Sequence, residues 1–146
     1  MILVGKLIQI NWVVLLTILN ISCNYAQEKV PEVVQHAFEG KYPGEDDPDW
    51  EIDAHGNYES HFKINGYKLR ADFKPDGTWI ETEQSIKKKE LPKLIRNILK
   101  ESYSDMKISE IEKVDHATKG VFYDIEFKRK GKNKDVEMTA NGTVLN

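Results

Sequence analysis

At 146 residues, 40% hydrophobic and 31% charged, the chain has the length and balance of one ordinary globular domain, which excludes a low-complexity or collagen-like protein. Its formal net charge is −3, and loss of an N-terminal segment whose only charge is Lys6 leaves about −4. That excludes the basic footprint of a nucleic-acid binder. Cys23 is the single cysteine, so no intramolecular disulfide can form.

Residues 1–26 read as a signal peptide. Lys6 gives the positive start, Trp12 to Leu19 the apolar stretch, and Asn24-Tyr25-Ala26 a small-residue cleavage point, so the mature domain spans 27–146. Lys6, Gln9, Asn11 and Asn20 interrupt the roughly 20 apolar residues that a membrane-spanning helix needs. Export to the periplasm is the expectation, with no stable membrane insertion. The alternative is a lipid-anchored envelope protein: Ser22-Cys23 resembles the modified cysteine of bacterial lipoproteins, although Asn20 departs from the usual leucine.

Val30, Val33, Val34, Ala37, Phe38 and Tyr42 recur at helical spacing. Pro31 suits a first turn, and Pro43-Gly44 ends the helix. The acidic loop that follows (Glu45, Asp46, Asp47 and Asp49) offers oxygen ligands to Ca²⁺, without EF-hand spacing. From Trp50 the period becomes twofold. Trp50, Ile52 and Ala54 alternate with acids, His55-Gly56-Asn57 turns, and Tyr58, Ser60, Phe62 and Ile64 alternate with polar residues. Asn65-Gly66 predicts a tight hairpin turn, because both central residues of that turn take positive φ. Tyr67, Leu69, Ala71 and Phe73 continue the alternation, and Pro75-Asp76-Gly77-Thr78 turns the chain into Trp79 to Thr82. Tyr58, Phe62, Leu69 and Phe73 are expected to face a helix; His61, Arg70 and Asp72 are not. Lys87-Lys88-Lys89-Glu90 reads as a solvated linker.

The unit then repeats. Leu91-Pro92 with Leu94, Ile95, Ile98, Leu99 and Tyr103 mirrors Val30-Pro31 with Val33, Val34, Ala37, Phe38 and Tyr42 at a constant offset. Tyr123, Phe127, Gly131 and Gly142-Thr143 match Tyr58, Phe62, Gly66 and Gly77-Thr78 at a slightly larger one, so a single insertion in the first hairpin accounts for the shift. The expected fold is α+β: two tandem repeats, 30–86 and 91–146, each a helix followed by a four-stranded antiparallel meander, with the helices on one sheet face and one shared core.

These residues resemble a family. The helix with Val30-Pro31, Ala37-Phe38 and Lys41-Tyr42-Pro43, then Trp50, Tyr58 to Gly66, Ala71 to Glu83 and a second helix opening Leu91-Pro92, are similar to the PepSY-like, β-lactamase-inhibitor-like family of small exported Bacteroidota proteins. By analogy with β-lactamase inhibitor proteins, the resemblance implies a duplicated fold whose open sheet face binds another protein.

No enzyme signature is present. No serine stands in a Gly-x-Ser-x-Gly setting, and His36, His55, His61 and His116 lack metal-ligand spacing. Glu59, Asp72, Glu81 and Glu83 have basic neighbours at alternating positions and read as a charge-paired, solvated surface. The function expected is therefore a non-catalytic exported binding module, an inhibitor or regulator. It would contact an envelope protein through His61, Arg70, Asp72, Trp79 and Glu81, with Trp79 as an aromatic anchor. His61 and Arg70 are replaced by Glu126 and Asp135 in the second copy, so the face is asymmetric in charge. The alternative is a sensor of Ca²⁺ or a small ligand using loop 45–49; no other cofactor is expected.

Overall fold

The computed structural model describes residues 29–131 and 134–146; the expected signal peptide and cleavage point, and Cys23, lie outside the described residues. The elements run α1 (Glu32–Lys41), β1 (Asp49–Ile52), β2 (Tyr58–Ile64), β3 (Tyr67–Phe73), β4 (Trp79–Ser85), a short 3₁₀ turn at Lys88–Glu90, α2 (Lys93–Ser102), β5 (Ile108–His116), β6 (Gly120–Phe127) and β7 (Lys134–Met138). All seven strands form one antiparallel sheet in sequence order. Among the described residues no helix is long and apolar enough to cross a membrane.

Local chemistry sets the boundaries. Pro31 and Pro92 precede their helices, where a missing N–H has no intrahelical partner, and each carbonyl accepts from the first turn. Asn65 and Gly66 take φ of 52° and 83°, so the β2–β3 connection turns in two residues. At the next turn Asp76 accepts from the Thr78 amide at 2.9 Å, and Asn141 accepts from the Thr143 amide at 3.2 Å. Glu90 closes the 3₁₀ turn by accepting from the Lys87 amide and, at 2.6 Å, from the Tyr67 hydroxyl.

Two expectations need correction. Among the described residues the second half contains three strands, not four, and past the Gly142 turn the chain makes only a single bridge, Met138 to Val144. β5 is a long interior strand with a partner on each side, whereas β1 is a short edge strand. The core is also divided. Val34 and Phe38 pack with Tyr58, Phe62, Ala71 and Phe73, while Leu91, Ile95 and Leu99 pack with Ile111, Ile125, Phe127, Val136 and Met138. The halves join through β4 and β5, and on the helix side that junction is polar, with Thr82 opposite Asp115 and Gln84 opposite Lys113. Tyr42 reaches this polar seam to bond Thr82 Oγ1, and burial pushes its hydroxyl pKa up to about 12.

As expected, Tyr58, Phe62 and Phe73 are buried and Leu69 packs against the same cluster. Ser60, on that side too, is fully buried and donates to the Ala71 carbonyl at 2.8 Å. His61, Arg70 and Asp72 alternate onto the other face, which no described helix covers.

Candidate functional site: the open sheet face

Strand alternation and pairing place one charged residue after another on the open face. Glu51, Glu59, Asp72, Glu81 and His116 stand opposite one another across β1 to β5. A second row runs Glu112, Asp124, Glu137, and a third Glu110, Glu126, Asp135 across β5 to β7. Like charges directly opposite each other destabilise a sheet, by roughly 0.2–1 kcal/mol a pair. Lys63, Lys68 and Arg70 reach this face from β2 and β3, and Lys119, in the turn between β5 and β6, lies over the Phe122 ring and 3.1 Å from Glu137, so the first half is mixed and the second predominantly acidic. The charge pairing expected for this surface is present in the first half, where Arg70 lies against Glu59, Asp72 and Glu83 and His61 against Glu59, although Asp72 is buried rather than solvated.

Arg70 is the electrostatic hinge of the face. Its Nη2 lies 2.5 Å from Glu83 Oε1, and its Nε lies 3.7 Å from Asp72 Oδ1 and 3.9 Å from Glu59 Oε2. His61 Nε2 lies 2.7 Å from Glu59 Oε1. Arg70 cannot satisfy all its neighbours: its own Nε, Asp72 Oδ1, Glu83 Oε2 and Asp124 Oδ1 are buried atoms without a hydrogen-bond partner.

Burial and mutual repulsion raise the proton affinity of several of these groups. Glu83 is pushed up to about 9, first by burial and then by Glu112, against the pull of Arg70. Glu112 is raised by its own burial, while its hydrogen bond with Glu83 pulls the other way, so near neutrality the pair shares one proton. Asp72 reaches about 6 through burial, opposed by Arg70. Asp124 also reaches about 6, through burial followed by Asp135 and Glu137. Glu83, Glu110, Glu112, Asp124, Glu126 and Asp135 line, with Arg70, an open polar depression of about 260 Å³.

The structure separates Trp79 from the other binding candidates. Asp72 pairs with Glu81 and Phe73 with Trp79, so Ile80 is an extra residue and Trp79 is carried to the helix side. There it packs against the α1 cluster, donates to Thr82 Oγ1 at 3.0 Å and lies under Lys41, whose Nζ is 3.4 Å from the ring centroid. Of the acidic loop, Glu45, Asp47 and Asp49 border one hollow with His61 and Phe62, while Asp46, again with Glu45, lines another beside Gln35, Phe38 and Trp50. The three donors that the described residues bring within 4.8 Å of one another are Glu51, Glu59 and His61, on the open face. Glu112, Asp124 and their neighbours went unnoticed as a group in sequence, yet they carry a signal: acid-x-acid triplets at Glu81–Glu83, Glu110–Glu112, Asp124–Glu126 and Asp135–Glu137 each put two carboxylates on one strand face.

A sequence model of the β-lactamase-inhibitor-like, PepSY-like family matches residues 56–146. Solved structures share the fold. A DUF2874 family protein from Bacteroides ovatus superposes with a TM-score of 0.72 at 20% identity, covering 82% of this chain and 86% of the other. A protein of assumed periplasmic location from Bacteroides eggerthii gives 0.71 at 23% identity, with 81% and 87% covered. A BLIP-like protein from Bacteroides fragilis gives 0.70 at 17% identity, with 81% and 84% covered. A search of curated proteins gives no match.

Proposed function

Since the chain belongs to the β-lactamase-inhibitor-like, PepSY-like family, we propose that it is a non-catalytic module that binds another protein of the cell envelope through the open face of its sheet. The observation that carries this reading is the set of like-charged cross-strand rows on a face left uncovered by either helix. Such rows cost folding free energy, and a docked partner would offset that cost. His61, Arg70, Asp72 and Glu81 belong to the contact surface; Trp79 belongs to the packing of helix on sheet. A small exported regulator is the corresponding role, with residues 1–26 as its leader. The periplasmic description of the Bacteroides eggerthii protein supports that location. Intact mass distinguishes simple cleavage after Ala26 from lipidation of Cys23.

We also read the domain as two copies of one unit, 30–86 and 91–146. Matching turn hydrogen bonds support this: Lys74 and Thr139 amides donate to Thr78 and Thr143 carbonyls, and Gly77 and Gly142 amides to Lys74 and Thr139 carbonyls. Affinity capture from the envelope fraction tests the binding role. The wild-type protein should retain a partner that Arg70→Glu with Glu81→Lys loses; retention of that partner by the folded double variant would contradict the role of this face.

A further inference from the structure

We propose that the partner docks a basic segment on this face, its lysine or arginine side chains entering the depression of the second half; this rests on reading the open face as the contact surface. The depression is walled by carboxylates from four neighbouring strands: Glu83 on β4, Glu112 on β5, Asp124 on β6 and Asp135 on β7, with Arg70 the one cation among its lining residues. Glu83 Oε2 and Asp124 Oδ1 are buried there without a hydrogen-bond donor. Asp72, beside Arg70 on the same face and only 9% exposed, likewise has an Oδ1 that no donor satisfies. An occupant bearing N–H donors would satisfy these oxygens, and the several carboxyls of the lining favour one that is positively charged.

Dimensions favour several side-chain cations over one metal ion. From β4 to β7 are three interstrand steps, about 14 Å at the usual strand spacing, whereas Ca²⁺ gathers its oxygens at about 2.3–2.6 Å. The group of donors close enough to share an ion, Glu51, Glu59 and His61, contains none of the depression's residues. Arg70 shows how a guanidinium seats at the rim, with Nη2 2.5 Å from Glu83 Oε1. A chain bearing successive arginines or lysines can repeat that contact across the remaining strands. Complementary charge of this kind speeds encounter and excludes acidic competitors.

The test is a titration of the full-length protein with a fluorescein-labelled arginine hexapeptide at low and at physiological salt. Saturable binding should weaken with salt, and should weaken by about tenfold in Glu112→Gln with Asp124→Asn, isosteric changes that relieve repulsion. Glu39→Gln with Glu101→Gln, on the exposed sides of α1 and α2, should leave the affinity as it was. Equal affinity in the depression variant, an equal loss in the helix control, or Ca²⁺ binding to the depression in place of the peptide would overturn the proposal. If the hexapeptide fails while Arg70→Glu with Glu81→Lys still abolishes partner capture, the basic segment is wrong and the contact face stands. If the hexapeptide binds as expected but capture ignores the face, the binding role itself falls.

Discussion

A carboxyl that holds its proton near neutrality can donate to a neighbouring carboxylate, and Glu83 does so toward Glu112. Around Glu83 stand Arg70 and Asp72 from β3, Glu81 on its own strand and Glu112 from β5. Because its folded pKa of about 9 lies above the ordinary glutamate value of 4.5, the folded state binds more protons than the unfolded one between those limits. Stability contributed by this group is full below about pH 4.5 and is lost as pH rises toward 9, with a slope of up to about 1.4 kcal/mol per pH unit per proton. Asp72 and Asp124 add a decline in the same direction between the ordinary aspartate value of 3.8 and about 6. Urea denaturation across pH 5 to 9 should show this fall. Glu83→Gln keeps a hydrogen-bond donor and removes the titration, so the variant should match wild type near pH 5 and be the more stable at pH 9. Parallel profiles would show that Glu83 is ionised throughout.

The elements were legible where backbone chemistry is strict. Asn65-Gly66, Pro31 and Pro92 mark a turn and two helix starts from the sequence alone, because few residues tolerate those geometries. Trp79 was not legible: the alternation Trp79, Glu81, Glu83 reads as one face, and a single bulged residue, Ile80, reverses the tryptophan. Nor could sequence show that β4 pairs with β5, which is what brings Glu83 and Glu112 together. Two turns now make a graded prediction. A Cβ on Gly77, at φ 83°, would lie 2.9 Å from the Val33 carbonyl oxygen, whereas on Gly142, at φ 81°, it would meet the flexible tip of Ile98 at 2.6 Å. Gly66, at φ 83°, has open space around it. Alanine costs about 1–2 kcal/mol for the left-handed backbone alone. Thermal melts should therefore rank Gly77→Ala as most damaging, since the Val33 backbone cannot move aside, with Gly142→Ala next and Gly66→Ala mildest. A Gly66 variant as damaged as Gly77 would contradict the contact with α1.

Across the whole molecule, one sheet joins two apolar clusters separated by the Thr82–Asp115 and Gln84–Lys113 seam. Val34→Ala and Leu99→Ala truncate buried residues on opposite sides of it, so their stability losses should add within about 0.5 kcal/mol. A larger interaction measured in the double variant would mean that the clusters act as one core. The opposite face divides mainly by charge, mixed over β2 and β3 and acid-rich over β5 to β7, where buried Val114 and Phe122 and the Lys119–Glu137 pair interrupt the acids. Helices pack on one side and acid-rich strand rows crowd the other, so the open face is the surface on which the proposed binding is tested. Site-specific photo-crosslinking in the native envelope tests that most directly, with a photoreactive residue introduced at Glu81 on the open face or at Glu39 on the exposed side of α1. A discrete crosslinked partner is expected from Glu81 and none from Glu39; a partner captured from Glu39 alone would contradict binding through the open face.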